Sequence, residues 1–202
     1  MAGQARVIEQ SVDRGTSLAA TRDALVLVLG QLAALVERLS AEQYTRQPVG
    51  VVRSSVGPHV RHALDHVGAW LAAVPEGVLD YDTRDRGTPV EQDPAAALEQ
   101  LAALLESLRS LNAREARIAG ATWTLRAQVT EGGPAISFGT TPERELAFVL
   151  SHTIHHHAVL GIMARELGVQ APERFGYAPA TITHLAPAAQ GGNDTGQGPV
   201  AG

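Results

Sequence analysis

The chain has 202 residues, 45% of them hydrophobic, 4% aromatic and 18% charged, with a formal net charge of −5. That is one domain's worth of chain with an ordinary globular composition, and the acidic balance gives no electrostatic footprint for nucleic acid. Cysteine is absent and every basic residue is arginine, so disulfides, thiolate metal sites, an internal thiol nucleophile and a catalytic lysine are all excluded.

We expect a frayed N-terminal segment over 1–15, one domain over 16–186 and a disordered Gly-, Ala- and Gln-rich tail over 187–202. The start carries no basic-then-apolar signal pattern. The longest apolar stretch, 24–36, is shorter than the roughly 20 residues a bilayer requires. A cytoplasmic protein without a membrane partner is the expectation.

The first helix is predicted over 17–45, with Ser17 at its start and Leu25, Val28, Leu32, Leu35, Val36 and Leu39 at helical spacing. Gln47-Pro-Val-Gly50 ends it. A second helix is predicted from Ser54 or Ser55 to Val74, with Pro58 tolerated in its first turn. The charged stretch 78–92 reads as a solvated loop, or as a loop folded over a site with Arg84 or Arg86 facing an acidic substrate. Asp93-Pro94 opens a third helix predicted to run to about Ala116, with Leu98, Leu101, Leu105, Leu108 and Leu111 as its stripe. Alternation over 122–130 and 135–138 around Glu131-Gly-Gly-Pro134 predicts a short β-hairpin. Thr140 or Thr141 then caps a fourth helix that continues to Leu167 and stops at Gly168. The segment 171–185, with Phe175, Tyr177 and Ile182, is expected to pack on the helices. The fold class is all-α: four helices with a hairpin between the third and the fourth.

Seven of the eight histidines fall on two of these helices. His59, His62 and His66 share one face of the second. His152 and His156 stand one turn apart on the fourth, in line with Val149, Val159, Leu160, Met163 and Leu167, while His155 lies to one side. Two imidazoles sunk in an apolar stripe need partners, because an unsatisfied buried polar group costs about 1–3 kcal/mol. One divalent ion would satisfy both if a third ligand came from a facing helix. Three histidines leave coordination positions open, as at catalytic sites. Imidazoles suit Zn²⁺ first, with Ni²⁺ or Fe²⁺ as alternatives. Asp65 and Glu145 are candidates to orient ring N–H groups, or else to form ion pairs.

Ser55-Val-Gly-Pro-His-Val-Arg-His62 and His152-Thr-Ile-His-His156, followed by a helix ending Ala-Arg-Glu-Leu-Gly168, resemble the metal-site motifs of the DinB/YfiT-like superfamily. The segments SSVGPHVRHALDH, YDTRDRGTPVEQD, RELAFVLSHTIHHHA and FGYAPATITHL are similar to one uncharacterised branch of it. The resemblance implies a four-helix bundle, commonly dimeric, with a divalent metal on His62, His152 and His156. His59 or His66 stands as an alternative to His62, and His155 as a neighbour of the ligands. His157, Ala158 and Val159 replace the polar residues usual after the motif.

By that resemblance the chain is a metal-dependent transferase acting with an external low-molecular-weight thiol, with Asp65, Arg84 and Arg86 as further site residues and Arg84 or Arg86 holding a substrate carboxylate. The alternatives are a metal-dependent hydrolase, with Asp65, Asp82 or His66 as general base, and a metal-binding or stress-associated protein without catalysis.

Overall fold

A computed structural model describes residues 14–50, 52–111, 115 and 117–185. The segment expected to be frayed falls mostly on 1–13 and the expected tail on 187–202; both of those stretches lie outside the described residues, as does Ala116. In chain order the elements are α1 (Arg14–Val36), α2 (Ala41–Thr45), α3 (Val56–Ala73), β1 (Val78–Asp80), a 3₁₀ turn (Pro89–Glu91), α4 (Pro94–Arg109), β2 (Trp123–Gln128), β3 (Ala135–Thr140), α5 (Pro142–Glu166) and α6 (Pro179–Leu185).

The long helices follow from their apolar spacing. In α1, Leu18, Arg22, Leu25, Leu29, Leu32 and Val36 are buried at alternating steps of three and four, which keeps them on one face. Leu29, not the expected Val28, takes the buried position. The single helix expected over 17–45 is two, because Ser40 and Gln43 form a reciprocal capping box that starts α2 afresh. Asp93 caps α4 through the Ala95 N–H, with Pro94 at the first helical position. That helix ends at Arg109, short of the expected 116. Thr141 caps α5, again ahead of a proline, and Gly168 takes φ +77° just beyond its end, a backbone conformation that suits glycine.

Helices α1 and α3 each pack against both α4 and α5. Between them lie Leu25, Leu29, Leu64, Val67, Trp70, Leu101, Leu146 and Leu160, all essentially without solvent exposure. Burying each such side chain contributes about 1.5–3 kcal/mol. By length and composition α1 and α5 are also apolar enough to cross a membrane, contrary to the reading that the apolar stretch is too short. Their buried leucine faces are those of helices in a packed core.

The chain is mostly helical but not all-α. The hairpin is present, with Trp123 paired to Thr140 and Gln128 to Ala135 in antiparallel register. A third strand, β1, joins it in parallel through Val78, Leu79 and Asp80 beside Thr124, Leu125 and Arg126. Its charged surroundings hid it: only Leu79 is buried, so a three-residue strand shows one apolar position and no alternation.

The stretch after β1 is not free in solvent. A Cβ at Gly57 would stand 2.0 Å from the Glu91 carbonyl oxygen, so only glycine lets the start of α3 meet the 3₁₀ turn. Arg61 pairs with Glu91 at 2.7 Å, and the Tyr44 hydroxyl donates to the Val90 carbonyl at 2.7 Å. The segment is thereby fastened against the N-terminal part of α3. At the other end of the chain, Phe175 is buried as expected, whereas Tyr177 stays half-exposed and α6 has no buried residue.

Candidate metal centre

Helix α3 carries His62 and helix α5 carries His152 and His156, and the packing of α3 on α5 brings the three together. One nitrogen from each lies within 4.8 Å of the others. His62 Nε2 and His152 Nε2 are 3.1 Å apart. Two nitrogens on a tetrahedral ion, each about 2.0–2.1 Å from it, would be separated by about 3.4 Å. The ring centroids of His62 and His156 are 4.7 Å apart and those of His152 and His156 are 4.6 Å apart, both edge to face.

The protonation states suit a cation. Burial, then repulsion from neighbouring imidazoles and from Arg84, pushes His62 down to about 3 and His152 to about 4. Burial and the adjacent histidines push His156 to about 3. All three are neutral at pH 7, as ligation requires. His156 Nδ1 is buried without a hydrogen-bond partner, the kind of orphaned lone pair or N–H that folding otherwise avoids. A neutral three-imidazole set with an orphaned member could hold one divalent ion.

Around the triad runs a column of stacked rings. Tyr81 lies on His66 at 4.9 Å and His66 on His152 at 4.0 Å, while Phe148 flanks the column with its ring 5.4, 6.1 and 5.6 Å from those of Tyr81, His66 and His152. His66 donates from Nδ1 to the His62 carbonyl at 2.9 Å, which fixes its ring between Tyr81 and His152. Its place is beside the triad. His59 turns a partnerless Nε2 inward with its ring 5.7 Å from that of His156, and His155 is exposed.

The expected carboxylates do not reach the rings. Asp65 forms an ion pair with Arg61 at 2.6 Å. Glu145 is fully buried and accepts from Tyr81 Oη at 3.1 Å, Thr140 Oγ1 at 2.6 Å and Arg144 at 2.7 Å. Its contribution to the site is to hold Tyr81, and through Tyr81 the ring column. The spacing contained that signal, since Glu145 sits one turn before Val149 on the buried stripe. Tyr81 and Phe148 gave no comparable sign. Of the two arginines, Arg84 donates to His62 Nδ1, and Arg86 is exposed. Asp82 is exposed and accepts the Gln128 N–H at 2.7 Å.

His157 is buried at 1% exposure, stacked 4.2 Å above Phe175, with Nε2 unpartnered. It packs the 175 loop against α5 and is not one of the converging ligands. A cavity of about 420 Å³ runs along α3 beside the site, lined by Leu64, Asp65, Gly68, Ala69, Val78 and Arg84 among others. A larger one, about 690 Å³, lies by Pro75, Ile118 and Trp123, and no histidine lines either cavity.

The sequence model of the DinB family matches residues 26–182, a span that includes all three histidines of the triad. Among curated proteins, "FK506-binding protein 5" of Rhizopus delemar is 31% identical over 110 residues, covering 54% of this chain. The chain matches only 28% of that protein's length.

Proposed function

The chain belongs to the DinB family, and from that premise we propose that it is a divalent-metal-dependent transferase acting with an external low-molecular-weight thiol. The observation that carries this reading is the convergence of His62, His152 and His156 on one spot, with no fourth member in that group among the described residues. We take the four long helices as the family's four-helix bundle, Zn²⁺ as the first choice of ion with Ni²⁺ or Fe²⁺ as alternatives, and a cytoplasmic homodimer as the working form, without nucleic-acid or membrane partners.

A divalent ion bound there would lower the pKa of an incoming thiol and supply thiolate at neutral pH. The new S–C bond forms from the sulfur lone pair and the thiol proton passes to solvent; in a substitution the leaving group departs with the electrons of its bond to carbon, and in an addition the π pair moves to the far atom, which takes a proton from water. The protein's own residues orient and surround this chemistry. His66 stacks on the His152 ring, Tyr81 backs His66, Phe148 packs along the side of all three, and Glu145 holds Tyr81. Arg84 is the cation nearest the triad and suits a carboxylate on the thiol or the electrophile; Arg86 stands farther out, on the exposed side of the same loop.

Hydrolysis is the weaker reading because each proposed general base is engaged: Asp65 by Arg61, Asp82 by the Gln128 N–H, and His66 by the His62 carbonyl and two ring faces. Incubating the zinc-loaded protein with electrophiles, with and without glutathione or cysteine, tests the choice. Thiol-dependent adduct formation supports the transferase. Cleavage that proceeds equally without thiol makes the protein a hydrolase.

A further inference from the structure

Arg84 and a metal ion cannot use His62 at the same time. A neutral imidazole has one lone pair and one N–H. The Arg84 guanidinium, which has only donors, points at His62 Nδ1, so the lone pair is there and the hydrogen is on Nε2. That hydrogen is in place to bond to His152 Nε2, 3.1 Å away. The three residues form a directed chain, Arg84 to His62 to His152. An ion on His62 Nε2 would put the hydrogen on Nδ1, directly against the guanidinium N–H. An ion on Nδ1 would consume the lone pair that Arg84 uses. Either mode of ligation expels Arg84, and the two positive charges repel besides.

Resting on the metal reading above, we propose that Arg84 is a latch: it holds His62 while the site is metal-free and is released when an ion binds. The latch is lightly held. Arg84 Nε is buried with no hydrogen-bond partner in this position, so the bond to His62 and the attraction of the Asp65 carboxylate are what hold the side chain there. The residue sits on the loop between β1 and the 3₁₀ turn, where Thr83 bonds to the Asp80 carboxylate on one side and the Asp85 carbonyl accepts from Arg61 on the other, so release is a movement of the Arg84 side chain on a held backbone. Arg84 also lines the cavity along α3, which gives the guanidinium open space to turn into, beside Asp65.

The test is a zinc titration of the full chain at neutral pH against a competing chelator, comparing wild type with Arg84→Met. A latch competes with the ion, so removing it raises zinc affinity by about tenfold or more, the loss of one charge-assisted hydrogen bond. In parallel, the ¹⁵N spectrum of the metal-free wild type reports the His62 tautomer: Nδ1 bare and Nε2 protonated, with zinc abolishing that pattern. Unchanged or weaker zinc binding by Arg84→Met overturns the latch, as does a protonated His62 Nδ1 in the metal-free protein. If wild type and variant are both folded and neither binds zinc, the metal reading itself falls and the latch goes with it. Binding by the variant alone supports both.

Discussion

His62 Nε2 and His152 Nε2 lie 3.1 Å apart across 90 positions of chain. Only the packing of α3 on α5 produces that approach, and it places two basic nitrogens, each kept neutral by burial, closer than either would choose without something between them. A proton or a metal ion can fill that role. The consequences for ion binding, acid stability and local packing can each be measured.

Zinc should stabilise the fold. An ion that binds the native chain and not the unfolded one adds about 2.7 kcal/mol at a hundredfold excess over its dissociation constant. Thermal melts with zinc should show a raised midpoint that excess chelator reverses. His152→Ala should abolish the rise while leaving the metal-free melt within a few degrees, since His152 is only half-buried.

Acid should destabilise the metal-free protein earlier than a carboxylate-driven transition would. His62 and His156 have folded values of about 3 and His152 about 4, all below the ordinary 6.5. Groups with depressed folded values contribute their full stability above 6.5 and lose it as pH falls towards 3–4, because only the unfolded chain can protonate them freely. Urea midpoints between pH 7 and pH 4 should therefore fall steadily, beginning near 6.5. A flat profile down to pH 5 would contradict the burial of these rings.

His157 gives a separable part of the same effect. Burial alone pushes it to about 3, and its ring stacks on Phe175. His157→Phe keeps the stack and removes a buried, partnerless nitrogen. The variant should be at least as stable as wild type at pH 7, more stable at pH 5, and unchanged in zinc binding. Denaturant melts at the two pH values, with a zinc titration, check all three.

Gly57→Ala should cost about 1–3 kcal/mol, because the new methyl meets the Glu91 carbonyl at 2.0 Å and must push the 3₁₀ turn off α3. Tyr81→Phe should cost about 1.5 kcal/mol by removing one hydrogen bond from the buried Glu145 carboxylate while the ring column stays. Urea denaturation distinguishes both from a neutral surface change.

How far the sequence reveals this site depends on the range of the interaction. The i, i+4 spacing of His152 and His156 and their apolar stripe identify one half from local periodicity alone. The cap residues Asp93 and Thr141 likewise act within a single turn. The other half needed the family motif, since nothing local separates His62 from His59 or His66. The His66 bond to the His62 carbonyl and its stacking on Tyr81 and His152 are what set it apart. Strand β1 and the Tyr81–Glu145 contact stayed hidden because they join segments 46 and 64 residues apart. The break before α2 was readable from Ser40 and Gln43, and Leu39, in helical spacing with Leu32 and Leu35 but beyond the end of α1, obscured it.

The most direct test of the triad is the metal content of the purified protein, wild type against His156→Ala, with circular dichroism confirming that both are folded. One divalent ion per chain in the wild type and none in the variant is the predicted result. Equal metal in the two proteins, or none in a folded wild type supplied with zinc, would contradict a shared ion at His62, His152 and His156.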